Sequence, residues 1–323
     1  MNIVSQSRQF NLHWLDRPQT WIDRLDSLVP QDPKLAWRWH ISHHQLLTLA
    51  KRSEREVGLS ILWFAVTSQD ETLMLGAVLP GDRIAIVPPA PTALNPIFDR
   101  EEGQALQEFL KARLKIKSVM GREAELKNFG FLFDRESENI LERQTPWGKR
   151  LTNVASTDSK TLRSVLSVTR RAAETDRPML ARWARVFAAD TRAEANASTV
   201  EAFEWMRRGR LLIFETDRPV GMAALSGEYN DPDFGRSCRL SLIYIDPVYR
   251  GRGYGHEMVT AIENEVRLES ANALVLYSAP KNERAFRFYS SLGFTPAEDW
   301  FEVDVPEDSD SDSDSGFKVN TTG

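Results

Sequence analysis

Residues 242–259 read LIYIDPVYRGRGYGHEMV: an apolar run, three glycines alternating with Arg252 and Tyr254, then the start of a helical pattern. The preceding "LSLIYID" has the length and the apolar content of a strand. After the glycines, Met258, Val259, Ile262 and Val266 recur at helical spacing and make one apolar face. The glycines therefore occupy a turn from strand into helix. Without a Cβ they let successive backbone N–H groups face a ligand that approaches the main chain closely. At a helix N-terminus those unpaired N–H groups and the helix dipole attract an anion. Arg250 and Arg252 add positive charge, so the stretch predicts a phosphate cradle.

Two common phosphate loops do not fit. A dinucleotide fingerprint needs G-x-G-x-x-G, or Ala at the last place, but counted from Gly251 that place holds His256. No acidic residue closes the next strand, "ALVLY" at 273–277. A P-loop needs G-K followed by Ser or Thr, which does not occur.

A third pattern does fit: Gln or Arg, two residues, Gly, one residue, then Gly or Ala, met by Arg250, Gly253 and Gly255. In register with it stand "YIDPVYRG", "ALVLYSAPKN" with Asn282, and "NERAFRFYSSLGF", where Tyr289 follows Asn282 by seven residues and precedes a Gly-Phe pair. On these residues, about 165–305 resembles the GNAT superfamily of acyl-coenzyme A-dependent N-acetyltransferases. The resemblance implies a fourth and a fifth strand that splay, with the pantetheine arm of acetyl-CoA lying between them. It implies main-chain contacts to the arm from Ile243 and Ile245, and pyrophosphate held by Gly251, Arg252, Gly253, Tyr254, Gly255 and His256 beside Arg250. Asn282 would bind the arm or its phosphate end.

The reaction implied is direct attack of a primary amine on the thioester, without an acyl-enzyme. Tyr289 would then protonate the departing thiolate as general acid. Without that register Tyr289 reads as a core aromatic, because Ala285, Phe286 and Leu292 sit at helical spacing from it. Some members carry a glutamate base on the fifth strand, five residues before the asparagine; that place here is Tyr277. Glu228 and His256 are the remaining candidates for a base, each acting through water, against the plain alternative of solvated surface residues. The rival to an enzyme is a non-catalytic acyl-CoA-binding regulatory module. Nothing in the sequence specifies the acceptor.

Upstream of the resemblance a similar order of elements recurs. A helix over "PKLAWRWHISHHQLLTLAKR" precedes three strand-like runs, "LSILWFAV", "TLMLGAVL" and "RIAIVPP". A helix opened by Asp99 with Glu102 as capping box, the strand "IKSVM", the short helix "REAELKNFG" and a strand around "ENILER" follow. Gln144 to Lys160 reads as a linker. The fold class predicted is α/β: tandem GNAT-like units, each a central, mostly antiparallel sheet flanked by helices. Their bounds are 1–150 for the N-terminal unit, 160–305 for the catalytic unit, and 306–323 for a disordered acidic tail, "EDSDSDSDSG" in its middle. In the N-terminal unit "PPAPTALNPIFD" stands where the glycine loop would be. Proline lacks the N–H a cradle needs, so this unit is read as degenerate, packing on the catalytic half and shaping the amine pocket.

The composition sets limits. The chain has 323 residues, 41% of them hydrophobic, and one cysteine, Cys238, which excludes an internal disulfide framework and reads as a small strand residue. Of the formal charge of −5, most lies beyond Pro306, so the near-neutral body is a poor nucleic-acid binder. The longest apolar run, Ile61 to Val66, is too short to cross a membrane, and the expectation is a cytosolic protein. His40 and His44 lie four apart on a helix, a spacing that could hold a metal, but no third ligand is evident and no metal is expected.

Overall fold

The computed structural model describes residues 9–25, 28–53, 60–69, 71–87, 100–129, 131, 139–151, 169–191, 193 and 195–305. The N-terminal half runs β1 (Asn11–Leu15), α1 (Pro18–Leu25), α2 (Pro33–Ser53), β2 (Leu62–Ser68), β3 (Glu71–Leu79), β4 (Arg83–Val87), α3 (Arg100–Lys111), β5 (Ser118–Arg122), α4 (Glu123–Asn128) and β6 (Ile140–Arg150). The C-terminal half runs β7 (Thr169–Arg171), α5 (Arg177–Thr191), α6 (Ala195–Arg207), β8 (Leu211–Glu215), β9 (Pro219–Asp231) and β10 (Gly235–Ile245). It continues through α7 (Tyr254–Leu268), β11 (Ala273–Ser278), α8 (Glu283–Ser291), β12 (Thr295–Pro296) and β13 (Trp300–Asp304). The acidic tail, the proline-rich stretch with Asp99, and most of the expected linker lie outside the described residues.

The described strands form one thirteen-stranded sheet in the order β1-β2-β3-β4-β5-β13-β6-β11-β10-β9-β8-β7, with β12 beside β6. Each half supplies the strand that completes the other. β6, which ends the N-terminal half, pairs with β11, while β13, which ends the C-terminal half, pairs with β5. The two exchanged strands pair with each other and so join the halves. β4–β5 and β10–β11 are the parallel pairs; the other pairings among the described strands are antiparallel.

This corrects the linker reading: Gln144–Arg150 is strand, not connection. "QTPWGKR" carries loop-forming Pro and Gly, yet Trp147 is fully buried in the core of the C-terminal half, and its indole donates to Ser278 Oγ at 2.9 Å. Local composition is overridden by that tertiary burial. The first 30 residues, which carry few sequence signals, also contain β1 and α1.

α2 binds the two halves across one face of the sheet. It starts where Asp32 Oδ1 accepts from the N–H groups of Lys34 and Leu35, both at 2.9 Å, with Pro33 in the first turn. Its three histidines are buried. His40 and His44 both bring Nε2 to Ser237 Oγ of β10, at 3.2 and 3.0 Å, and His40 Nδ1 lies 2.9 Å from Asp231 Oδ2. His43 donates Nδ1–H to the Trp39 carbonyl at 2.8 Å. Among the described residues no helix is long and apolar enough to cross a membrane.

Burial pushes the pKa of both His43 and His44 down, and for His44 the neighbouring His40 and Arg239 push the same way. Both are therefore neutral in the fold, whereas in the unfolded chain they take up protons as the pH falls through about 6.5. A depressed native pKa means stability is lost on acidification, by up to about 1.4 kcal/mol per pH unit for each group. Acidification from pH 7 to 5.5 should therefore lower stability through this pair, less so for His43, whose shift Glu125 opposes. Glu265 and Glu298, pushed up by burial, act with the opposite sign, so the test is a difference. Denaturant titrations of wild type and His44→Gln at both pH values should show a smaller acid loss in the variant; equal losses would refute the assignment.

Candidate functional site

β10 and β11 run parallel and in register only from Ser237–Ala273 to Arg239–Val275. Beyond that point Leu240–Ile245 and Leu276–Ser278 part company. On its other edge β10 stays paired to β9, but the register slips between Ser241 and Tyr244, and Leu242 adopts φ +50. This bulge bends β10 away from β11. The parting exposes main-chain groups of Ile243 and Ile245 on an edge with no strand partner. One is already used, because Arg250 Nε donates to the Ile245 carbonyl at 2.8 Å.

At the wide end of the parting lies the glycine loop. Gly251 and Gly253 have φ +78 and +87, a left-handed conformation that disfavours side chains. Gly253 is the N-cap of α7 and provides no side chain to pair the first N–H groups of the helix. The N–H groups of His256 and Glu257 turn back to the Gly253 carbonyl, but no described backbone group takes those of Gly251 through Gly255. The loop is thus a concave set of donors at a helix N-terminus. Arg252 is exposed beside it, whereas Arg250 braces the loop, its guanidinium bound to Asp190 at 2.6 Å as well as to Ile245.

Asn282 lies just past the end of β11 and caps α8, its Oδ1 accepting from the Ala285 N–H at 3.0 Å. Tyr289, two turns along α8, packs among Trp147, Phe288 and Phe294 with ring centroids 5.3–6.0 Å away. Tyr289 is 9% exposed, and its hydroxyl has no described hydrogen-bond partner. Burial raises its pKa, so the phenol is protonated at neutral pH.

Glu228 is placed elsewhere. It faces Cys238, where the β10–β11 ladder is still closed, and is clamped between Arg210 and Arg236, the latter at 2.8 Å. A carboxylate held by two guanidiniums is a brace and a poor base. His256 stands at the cradle, but its Nε2 lies 2.9 Å from Ser291 Oγ and its ring packs edge-on against Phe288. The Cys238 thiol is buried and pushed up to about 11 by that burial and by Glu228, which leaves it inert. Tyr277 occupies the strand-five position. Its hydroxyl bridges the Ile41 carbonyl (3.3 Å) and the Gln45 N–H (3.1 Å) of α2, two groups four residues apart in that helix. Burial pushes it up to about 12.

Two side chains on this face had no sequence pattern to announce them. Glu201 of α6 accepts from Ser241 Oγ at the start of the bulge and from Trp205 Nε1, both at 3.2 Å. Arg239 sits at the apex of the parting, its guanidinium 4.8 Å from the Tyr277 ring centre. A separate cavity of about 70 Å³ at the junction of the halves includes Gln45, Tyr277 and Trp300 but none of the glycine loop.

The family model of the Acetyltransferase (GNAT) family matches residues 179–294, from α5 through the glycine loop to the strand after α8. Residues 179–294 form a GNAT acetyltransferase domain. Solved structures extend the likeness of fold across the GNAT domain and the half before it. A tandem GNAT protein from the clavulanic acid biosynthesis pathway aligns over 93% of this chain and 100% of its own at 12% identity, with a TM-score of 0.50. A GNAT-family acetyltransferase from Colwellia psychrerythraea aligns over 91% and 99% at 13% identity, TM-score 0.50. A GCN5-related N-acetyltransferase from Sphaerobacter thermophilus aligns over 91% and 94% at 14% identity, TM-score 0.51. No curated protein matches the chain. The fold is thus a tandem GNAT arrangement, and the GNAT domain is one that serves acyl transfer from acyl-CoA.

Proposed function

We propose that the C-terminal half transfers an acetyl group from acetyl-CoA to a primary amine by direct attack on the thioester. The observation that carries this reading is the parting of β10 and β11 with a donor-lined glycine loop at its wide end. An extended arm fits the parting as an added strand, taking main-chain bonds from Ile243 and from the Ile245 N–H. Its pyrophosphate falls on the N–H groups of Gly251–Gly255, beside His256 and with Arg252 alongside, and Asn282 faces the arm from the β11 side.

Three groups then serve the chemistry. The attacking amine must lose a proton, and Glu201, bound to β10 through Ser241, receives it directly or through water; Glu228 is not carried into this role. The carbonyl oxygen becomes negative and is met by main-chain N–H groups at the bulge. The C–S bond then breaks, and Tyr289 gives its phenolic proton to the thiolate. The N-terminal half contributes α2, which covers the sheet beside the acceptor side of the parting. On this proposal the units keep the bounds 1–150 and 160–305, with β6 and β13 exchanged between them.

The test is thiol release from acetyl-CoA with a panel of primary amines, run beside calorimetric binding of CoA. Amine-dependent release is expected. Binding without release on any amine would instead support a regulatory acyl-CoA-binding module, and absence of binding would sink both readings.

A further inference from the structure

Ser237, Arg239 and Ser241 alternate along β10 and so share one face of the sheet. α2 covers the first through His40 and His44, and α6 covers the last through Glu201. Arg239 lies between them on that strand face, at the apex where β10 and β11 part. No described carboxylate or hydrogen-bond partner is found for its guanidinium, whereas other partly buried arginines among the described residues are paired, Arg122 with Glu125, Arg170 with Asp176, Arg210 with Glu228, Arg236 with Glu228 and Arg250 with Asp190. Its Nε is buried with no partner. Its terminal nitrogens also lack a described partner, and the residue is only partly buried. The guanidinium lies over the Tyr277 ring, 4.8 Å from its centre.

A charge half withdrawn from water without a counter-ion is costly unless a ligand supplies one. The terminal pair of a guanidinium, five donors in a planar fork, matches the two oxygens of a carboxylate. Ser241, with the Glu201 carboxylate on it, is two residues further along the same strand face, roughly 7 Å away. The face thus presents a cation at the apex and an anion beside the bulge. That is the complement of an amine that carries a carboxylate a few bonds from its nitrogen.

We infer that the acceptor is a small amino acid, α or ω, whose carboxylate is held by Arg239 while its amine lies toward Glu201 and the thioester. Arg239 is a specificity-determining residue that selects the acceptor and leaves the donor untouched. This rests on the transferase reading above, in which the parting of β10 and β11 holds the acyl donor.

The experiment pairs α- and ω-amino acids with their carboxamides as acceptors, and measures CoA affinity separately. Each carboxamide keeps the amine but loses the charge, and its amine is less basic, so intrinsic reactivity at neutral pH does not favour the acid. Acids should be used at least tenfold better in kcat/KM than their amides. Arg239→Gln should raise KM for the acid on the order of 10- to 100-fold, abolish the acid–amide preference, and leave CoA affinity within about twofold. Arg239→Lys should restore part of the preference. Equal use of acids and amides by the wild-type protein needs no variant to fold and overturns the inference while leaving the transferase reading intact. Failure to bind CoA would remove that reading and this one with it.

Discussion

Tyr289→Phe will lower turnover about a hundredfold while acetyl-CoA affinity stays within about twofold, as a positioned general acid contributes on the order of 10²- to 10⁴-fold. The low end applies because a thiolate, with a conjugate acid near pKa 8.5, is a moderately good leaving group and needs only part of a proton transfer. The substitution is well suited to isolate this effect. Tyr289 packs against Trp147, Phe288 and Phe294 through its ring, which phenylalanine keeps. Its hydroxyl makes no described hydrogen bond, so its removal leaves no orphaned partner and should change stability by less than about 1 kcal/mol. The raised pKa fixes the sign of the pH dependence: the phenol is protonated across the neutral range, so no loss of kcat from Tyr289 appears until well above pH 10. Steady-state rates and calorimetric CoA binding on the same preparation separate the two quantities. Undiminished kcat in the variant would remove the general-acid role.

How much of this was legible before any coordinates depends on the range over which each feature is encoded. The donor side of the site is local. The strand "LSLIYI", the glycines and the helix beginning at Tyr254 are contiguous, and their conformations follow from alternation, absent Cβ atoms and helical spacing. Asn282 and Tyr289 lie on the next strand–helix unit and keep register with them. The acceptor side is not local. Glu201 reads in "STVEAFEWM" as an ordinary helix-surface residue, and only its contact with Ser241, forty residues on, puts it at the bulge. Arg239 is one polar residue in a strand, and its meaning depends on Tyr277 and on α2, nearly two hundred residues earlier in the chain.

The exchange of β6 and β13 was hidden for a related reason. Pairing partners are a tertiary property, and "QTPWGKR" looks like a loop until Trp147 is seen in the other half's core. Glu228 shows the opposite error. Its strand position and charge suggested chemistry, whereas Arg210 and Arg236 had already neutralised it. His40 and His44 of α2 are spaced as ligands would be, but they turn their nitrogens to Ser237 and Asp231.

Gly253→Val will weaken CoA binding about a hundredfold, and the argument turns on separating backbone strain from lost recognition. At φ +87 a β-branched residue is an outlier, and forcing it costs on the order of 1–3 kcal/mol of stability or reshapes the turn. The added side chain meets little: the nearest group to a Cβ there is Glu257 Oε1 at 4.0 Å. It projects into open space, where on the proposed reading the pyrophosphate lies. If two N–H groups are tilted out of line, at about 1.5 kcal/mol for each bond to a charged acceptor, the loss is about a hundredfold. Gly209, at the end of α6, supplies the control. It also has positive φ, +64, and nothing within 4 Å of a Cβ, but it lies outside the glycine loop. Gly209→Val should therefore lower the melting temperature comparably and leave CoA affinity unchanged. Pantetheine, which lacks the pyrophosphate, gives the second axis: the wild-type protein should bind CoA far more tightly than pantetheine, and Gly253→Val should shrink that gap while Gly209→Val preserves it. If both variants lose CoA affinity equally, strain alone explains the result, and the loop between β10 and α7 is not the phosphate site.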